Sequence, residues 1–162
     1  MDVTLYTAAI DDRFGTGIIR SRIGLQESAY LFDNDTDFYL PLKEQHEKSR
    51  LSCVLIDEAQ FLSVQQVDEV ARVVDELNLP VLCFGIRTDF QGELFPGSMR
   101  LLAIADKLAE LKTVCSCGKK ATMTVRLDEH GCVVKSGEQV HIGGNERYES
   151  KCRHHFYQLI GR

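Results

Sequence analysis

The sequence predicts an α/β fold: a parallel sheet with flanking helices, followed by a small cysteine-bearing lobe at its C-terminal end. Three observations carry this. Cys53-Val54-Leu55-Ile56 is an uninterrupted apolar run that passes directly into Asp57 and Glu58, the pattern of a strand buried on both faces of a parallel sheet. Val64, Val67, Ala71, Val74 and Leu77 recur at helical spacing, and Val81-Leu82-Cys83-Phe84-Gly85 follows as a second buried strand; strand, helix, strand in that order makes a right-handed parallel crossover. Four of the six cysteines lie in the last third of the chain.

Composition narrows the function. A length of 162 residues suits one domain, or one domain with a small appendage, and 44% apolar with 27% charged residues is ordinary for a chain with a core. The net charge is −5 and no basic run exceeds two residues. That argues against a broad grip on nucleic acid, whose affinity comes from many Lys/Arg–phosphate contacts. No apolar run approaches the roughly 18 residues of a membrane span, and the first residues lack the basic and apolar regions of a signal peptide. The expected location is the cytoplasm, where cysteines serve as thiols or metal ligands rather than disulfides. Cys53 and Cys83, inside apolar runs, read as small buried hydrophobes.

In chain order, residues 3–9 read as a strand and 11–17 as a polar loop punctuated by Gly15 and Gly17. That loop is either a surface turn or one whose Asp and Arg face phosphate and metal. Residues 18–42 show little pattern. Their acidic stretch at 33–37 reads as a solvated face, since nothing nearby completes a metal cage. A short charged helix over 42–50 leads into the strand ending at Asp57. Ser63 and Gln66 form a capping-box pair, and Asn78 with Pro80 ends the helix that follows. Residues 86–97 form a long loop, 99–105 a helix and 108–114 a last strand.

The carboxylates at the tip of the 53–56 strand sit where open α/β sheets bind ligands. Asp57 is placed as the Walker-B carboxylate of a P-loop NTPase, within reach of a phosphate-bound Mg²⁺, and Glu58 could act as a base toward an attacking hydroxyl or water. The alternative is that both merely polarise a strand-to-helix turn. In the last third, Cys115-Ser116-Cys117 and Cys152-Arg153-His154-His155 are two close pairs with 34 residues between them. Cys/His pairs joined by a long insert hold structural zinc in ribbons, and in so small a lobe the metal supplies folding energy. Of the two histidines, His155 fits better, because C-x-x-H lets both ligands reach one ion. Four unrelated thiol and imidazole groups are the competing reading. Cys132 stands apart as a non-ligand.

Five stretches together resemble the type II thymidine kinases: residues 6–15 (Tyr-Thr-Ala-Ala-Ile-Asp-Asp-Arg-Phe-Gly), 57–61 (Asp-Glu-Ala-Gln-Phe), 87–90 (Arg-Thr-Asp-Phe), 143–148 (Gly-Gly-Asn-Glu-Arg-Tyr) and the Cys/His set. The resemblance runs from about Val3 to the end. It implies a P-loop-NTPase-like sheet over residues 1–112, incomplete at its N-terminal side, and a zinc-ribbon-like lasso domain over 113–162. It implies transfer of the γ-phosphate of ATP to the 5′-hydroxyl of thymidine or deoxyuridine, with thymidine and ATP as partners and a homotetramer as the assembly. Glu58 matches the general base. Asp57, Glu58, Ala59 and Gln60 match the ATP and Mg²⁺ segment, with Asp11 and Arg13 near the phosphates. Phe61, Ile86, Phe90 and Thr124 match groups around the nucleoside. Gln139, Val140, His141, Ile142 and Gly143 match the backbone that reads the pyrimidine edge, and Tyr148 the residue closing over it. Cys115, Cys117, Cys152 and His155 match the ligands of a structural zinc.

One departure is plain: no G-x-x-x-x-G-K-[ST] run occurs in the 162 residues. That loop supplies the N–H cradle, the Lys and the Mg²⁺ hydroxyl for the phosphates. The expectation is therefore of a truncated or mis-started chain with little kinase activity by itself, whose sheet exposes apolar faces and unpaired edges. A catalytically inactive nucleoside-binding or assembly remnant is the alternative. A helicase-like ATPase with a zinc ribbon on nucleic acid fits less well, given the charge and size.

Overall fold

The computed structural model describes residues 2–11, 13, 15–21, 23–140 and 147–161. The chain divides into two compact units, Met1–Ile86 with Pro96–Ile104, and Arg87–Phe95 with Ala105–Arg162.

The first unit is built on four parallel strands. These are β1 (Val3–Ala8), β4 (Tyr30–Phe32), β5 (Cys53–Ile56) and β6 (Val81–Cys83), in the order β4-β1-β5-β6. A short antiparallel hairpin, β2 (Ile18–Arg20) with β3 (Gln26–Ser28), precedes β4. Helices α1 (Tyr39–Ser49) and α2 (Val64–Leu77) lead into and out of β5, and α3 (Pro96–Ile104) completes the unit. Helix α1 begins three residues before the expected 42; Pro41 falls in its first turn, where its missing N–H costs nothing. Helix α3 likewise starts at Pro96, a residue suited to a first helical position.

Alternation along the strands places Tyr6, Ala8, Phe32, Val54 and Ile56 in one apolar cluster with Phe38, Leu42, Val67, Val70 and Val73. The opposite face of the sheet is half-covered: Leu5, Cys53 and Leu55 are half-buried, and Val3, Leu31 and Leu82 (44%) are exposed. The expectation that the 53–56 strand is buried on both faces therefore holds for one face only, and the 81–85 run, expected as a second buried strand, leaves Val81 and Cys83 half-buried and Leu82 and Phe84 exposed. β6 ends at Cys83 and is an edge of the sheet among the described residues.

Ser63 and Gln66 close the predicted capping box in both directions, at 3.1 and 3.0 Å. Gln66 does more. Its Nε2 donates to Asp33 O (2.6 Å) and Thr36 O (3.0 Å), pinning the acidic loop to the start of α2. The Asp33 carboxylate takes the Asp35 N–H and the Thr36 hydroxyl, which uses it in the loop. The buried stripe of α2 runs through Gln66, Val67, Val70 and Val73. It is rotated from the expected Val64-Val67-Ala71-Val74 stripe, and Val64, the first helical residue, is 42% exposed.

The second unit contains the hairpin β7 (Thr113–Val114) and β8 (Lys120–Ala121), and an antiparallel sheet in the order β10-β9-β11. Its strands are β9 (Met123–Leu127), β10 (Val133–Val134) and β11 (Tyr148–Lys151), and helix α4 (Arg153–Ile160) packs on them. Val125 and Phe156 are fully buried. The expected strand over 108–114 forms only at its last two residues, with Leu108 and Leu111 (76%) exposed. The reason lies in the sequence. On a strand, Leu108 would share its face with Glu110 and Lys112, and the two leucines would fall on opposite faces, so neither face gathers both.

Candidate active site

β1 and β5 run side by side, with Tyr6 opposite Ile56 and the Asp57 N–H donating to Tyr6 O at 2.9 Å. The residues leaving both strands emerge at the same C-terminal edge, where an α/β sheet places its chemistry. Asp57 Oδ1 accepts the N–H of Glu58 at 3.0 Å. Glu58 adopts the left-handed conformation (φ 53°, ψ 36°), a strained choice for a residue with a Cβ. It swings the chain from strand into the 3₁₀ turn Ala59–Phe61, whose Ala59 N–H donates to Phe84 O at 2.8 Å.

That turn aims the Glu58 carboxylate into a polar chain. Oε1 accepts from Arg13 Nη2 and Oε2 from Gln60 Nε2, each at 2.5 Å. Arg13 also grips Asp11 with Nε and Nη2, both at 2.6 Å. Gln60, almost fully buried, accepts the Ile86 N–H on Oε1 at 3.2 Å. Two glycines permit this packing. A Cβ on Gly85 would fall 2.5 Å from Gln60 Oε1, and one on Gly97 would fall 2.4 Å from Leu62 O.

Charge is unevenly shared at this edge. Burial lifts the Asp11 carboxyl, but hydrogen bonds and charge from Arg13 outweigh it and hold the group below the ordinary carboxylate range. Arg13 is raised, chiefly by its bonds to Asp11. Asp57 moves the other way: burial first, then the Glu58 charge, push its carboxyl up. Among the described residues Arg13 thus pairs with Asp11 and Glu58, while Asp57 feels its charge only weakly. Phe61 packs half-buried against the core and Ile86 is exposed.

In the second unit, Phe90 is buried beneath the Arg126 guanidinium. Gln139 donates to Asp89 Oδ2 at 3.0 Å. Thr124 sits opposite Ser150 on β9, Tyr148 begins β11 opposite Arg126, and Val140 is half-buried. His141, Ile142 and Gly143 lie outside the described residues.

The ligand atoms of Cys115, Cys117, Cys152 and His155 all lie within 4.8 Å of one another. Cys115 Sγ is 3.3 Å from His155 Nδ1, and Cys117 Sγ is 3.8 Å from Cys152 Sγ. Tetrahedral bonds of about 2.3 Å put two sulfurs about 3.8 Å apart, so three thiols and an imidazole fit a closed four-coordinate metal centre. The Cys115 thiol is already lowered to about 5, first by the Cys117 backbone N–H and then by His155, which favours the thiolate a metal needs. The elements deliver these ligands. The β7–β8 hairpin turns through Cys115–Gly118 with Gly118 at φ 80°, and Cys152 caps α4 while His155 sits in its first turn. Cys132, at the β9–β10 turn, is exposed and outside the cluster, and Cys83 is a neutral thiol lifted to about 11 by burial.

Sequence reasoning gave no role to Arg126 or Gly137, and placed Asp89 only within the 87–90 stretch. Arg126 alternates with Val125 and Leu127 on β9 and so reads as an outward polar residue, yet it is buried.

A parallel sheet with a carboxylate pair at its C-terminal edge, in a chain that also carries a Cys/His set able to hold a metal, is the architecture of a ligand-binding α/β protein with a candidate metal centre. The thymidine kinase family model matches residues 1–156. The chain is 55% identical over its whole length to the thymidine kinase of Aliivibrio fischeri, covering 84% of that protein. It is 57% identical to that of Mannheimia succiniciproducens over 83% of its length. It is 55% identical to that of Yersinia pseudotuberculosis, over 99% of this chain and 82% of the relative. The chain belongs to the thymidine kinase family.

Proposed function

We propose that the protein transfers the γ-phosphoryl group of ATP to the 5′-hydroxyl of thymidine or deoxyuridine, with Glu58 as general base. The observation that carries this is the Glu58 carboxylate, fixed by Arg13 and Gln60 at the sheet edge beside Asp57. Each Glu58 oxygen accepts one bond and keeps a further lone pair for the 5′-hydroxyl proton. As that proton passes to Glu58, the freed oxygen attacks the γ-phosphorus, the bond to the bridging oxygen breaks and ADP leaves. Asp57, held in a corner with excess negative charge, is the group that gains from the Mg²⁺ carried by ATP. Asp11 and Arg13 face the phosphates in this reading, and Ala59 and Gln60 complete the nucleotide segment.

Phe61, Ile86, Phe90 and Thr124 line the nucleoside, residues 139–143 read its base through the backbone, and Tyr148 closes over it. We assign nucleotide handling to residues 1–112 and the zinc-held lasso to 113–162. The Cys115-Cys117-Cys152-His155 set is closed, which suits structural zinc rather than catalysis. A homotetramer in the cytoplasm, serving DNA synthesis, completes the reading.

Phosphoryl transfer from ATP·Mg²⁺ to thymidine tests it, on protein purified from its own host and on its Glu58→Gln variant, with thymidine binding followed calorimetrically. The reading expects transfer by the host protein and a loss of about 10²–10⁴-fold in Glu58→Gln, with binding retained. Unchanged turnover in Glu58→Gln removes Glu58 as the base. Thymidine binding without transfer leaves a binding protein, and neither activity overturns the assignment.

A further inference from the structure

We propose that Arg126 is a positioning residue of the thymidine site, fastening the root of the base-reading segment to the ring of Phe90. The inference rests on the thymidine kinase reading above. Arg126 is only 8% exposed. Among the described residues it makes no ion pair. A guanidinium without a carboxylate is expensive to bury unless its donors and its face are both used. Here its face lies over the Phe90 ring, 3.7 Å from the centroid, where the ring quadrupole attracts a cation. Its Nη1 donates to Glu138 O at 2.8 Å. Lysine offers neither the flat face nor the fork.

Gly137 supports the same contact from the other side. It holds φ at +134°, and a Cβ placed there would fall 2.9 Å from Arg126 Nη2. The glycine is what lets the guanidinium reach the chain. Two further ties join the same two segments: Gln91 Nε2 donates to Gly137 O at 3.3 Å, and Gln139 Nε2 donates to Asp89 Oδ2 at 3.0 Å. Asp89 is itself fixed, since its Oδ1 takes the N–H groups of Gln91 (2.8 Å) and Glu93 (2.9 Å). Residues 89–91 and 137–139 therefore meet through three ties, and Arg126, between the Phe90 ring and Glu138 O, contributes the cationic one.

One face of Phe90, a residue 1% exposed, is already taken by Arg126. Besides the nucleoside role assigned to it above, Phe90 fixes Arg126, and through it the Glu138 backbone that leads into Gln139 and Val140. A preformed segment spares thymidine the ordering cost of binding, and loosening it lowers affinity in proportion to the fraction of competent molecules. Phosphoryl transfer itself falls to other residues, so its rate is spared.

The test compares the host-purified protein with Arg126→Lys, Arg126→Met and Gly137→Ala. We expect the thymidine Kd and KM to rise about tenfold or more in all three, with kcat and the KM for ATP within about twofold and metal content unchanged. Gly137→Ala keeps Arg126 intact, so it carries the test should the Arg126 variants fail to fold. Wild-type thymidine affinity in both Arg126→Lys and Gly137→Ala overturns the inference and leaves the kinase reading standing, as does a loss confined to kcat. Failure of the unmodified protein to bind thymidine would instead remove the reading beneath it.

Discussion

Between Met1–Ile86 with Pro96–Ile104 and the remainder of the chain, the charge changes sign. The first unit carries eight Lys/Arg against fifteen Asp/Glu, and the second eleven against nine. The means of stabilisation change as well. Fourteen buried apolar residues form a continuous cluster in the first unit, whereas around the Cys/His set the buried cluster is Cys115, Ala121 and Cys152, two of them members of the group that could hold a metal. A unit that excludes water from an apolar core is held without help. The second unit buries Phe90, Phe95, Val125 and Phe156, and its four converging Cys/His groups could hold a metal that would add to this thinner core. The comparison contrasts an acidic sheet unit with a small thiol-rich lobe in which a metal at the Cys/His set would firm the frame that carries the 137–140 segment.

The largest effect expected on that contrast is from Cys152→Ser. Metal content by mass spectrometry should fall below one equivalent, and the second unit should lose its cooperative transition while the first keeps its helical signal. A ligand loss that spared the second unit would break the comparison. Gln66→Ala probes the other side. It strands the Ser63 N–H and two loop carbonyls, so urea unfolding of the first unit should show a loss of about 2–3 kcal/mol, with metal retention untouched. Ser63→Ala removes one cap bond and should cost about 1 kcal/mol in the same assay.

Acid titration gives the smallest and most discriminating signal. Asp11 is lowered in the folded state, so its contribution is present above the ordinary carboxylate value of 3.8 and is lost as pH falls through the folded value. Asp57 is raised, so the folded state favours its proton, and its penalty appears as pH rises through 3.8 toward the folded value. Asp11→Asn should therefore destabilise at pH 7, and Asp57→Asn should stabilise there, both differences shrinking in acid. Equal signs at pH 7 would contradict the charge distribution at the sheet edge.

How much of this could be read beforehand follows from how each residue is held. β1, β5 and α2 announce themselves because local pattern and burial agree: β-branched runs, a capping box and a helical period. The Cys/His set is legible for a different reason, since few other uses place C-x-C and C-x-x-H pairs in one small lobe. β2, β3 and β4 are three residues each, too short to show a period, and β4 exists because β1 offers it a parallel partner. The run over 108–114 misled in the other direction, with leucines that no strand face could gather. Arg126 was hidden because its partners, Phe90 and Glu138, are distant in sequence and only the fold joins them.

The most direct test of the contrast is amide hydrogen exchange before and after removal of the metal with a chelator. The account predicts that amides of β7–β11 and α4 exchange freely once the metal is gone, while those of β1, β5 and α2 keep their protection. Unchanged protection in the second unit, or its simultaneous loss in both, would contradict it.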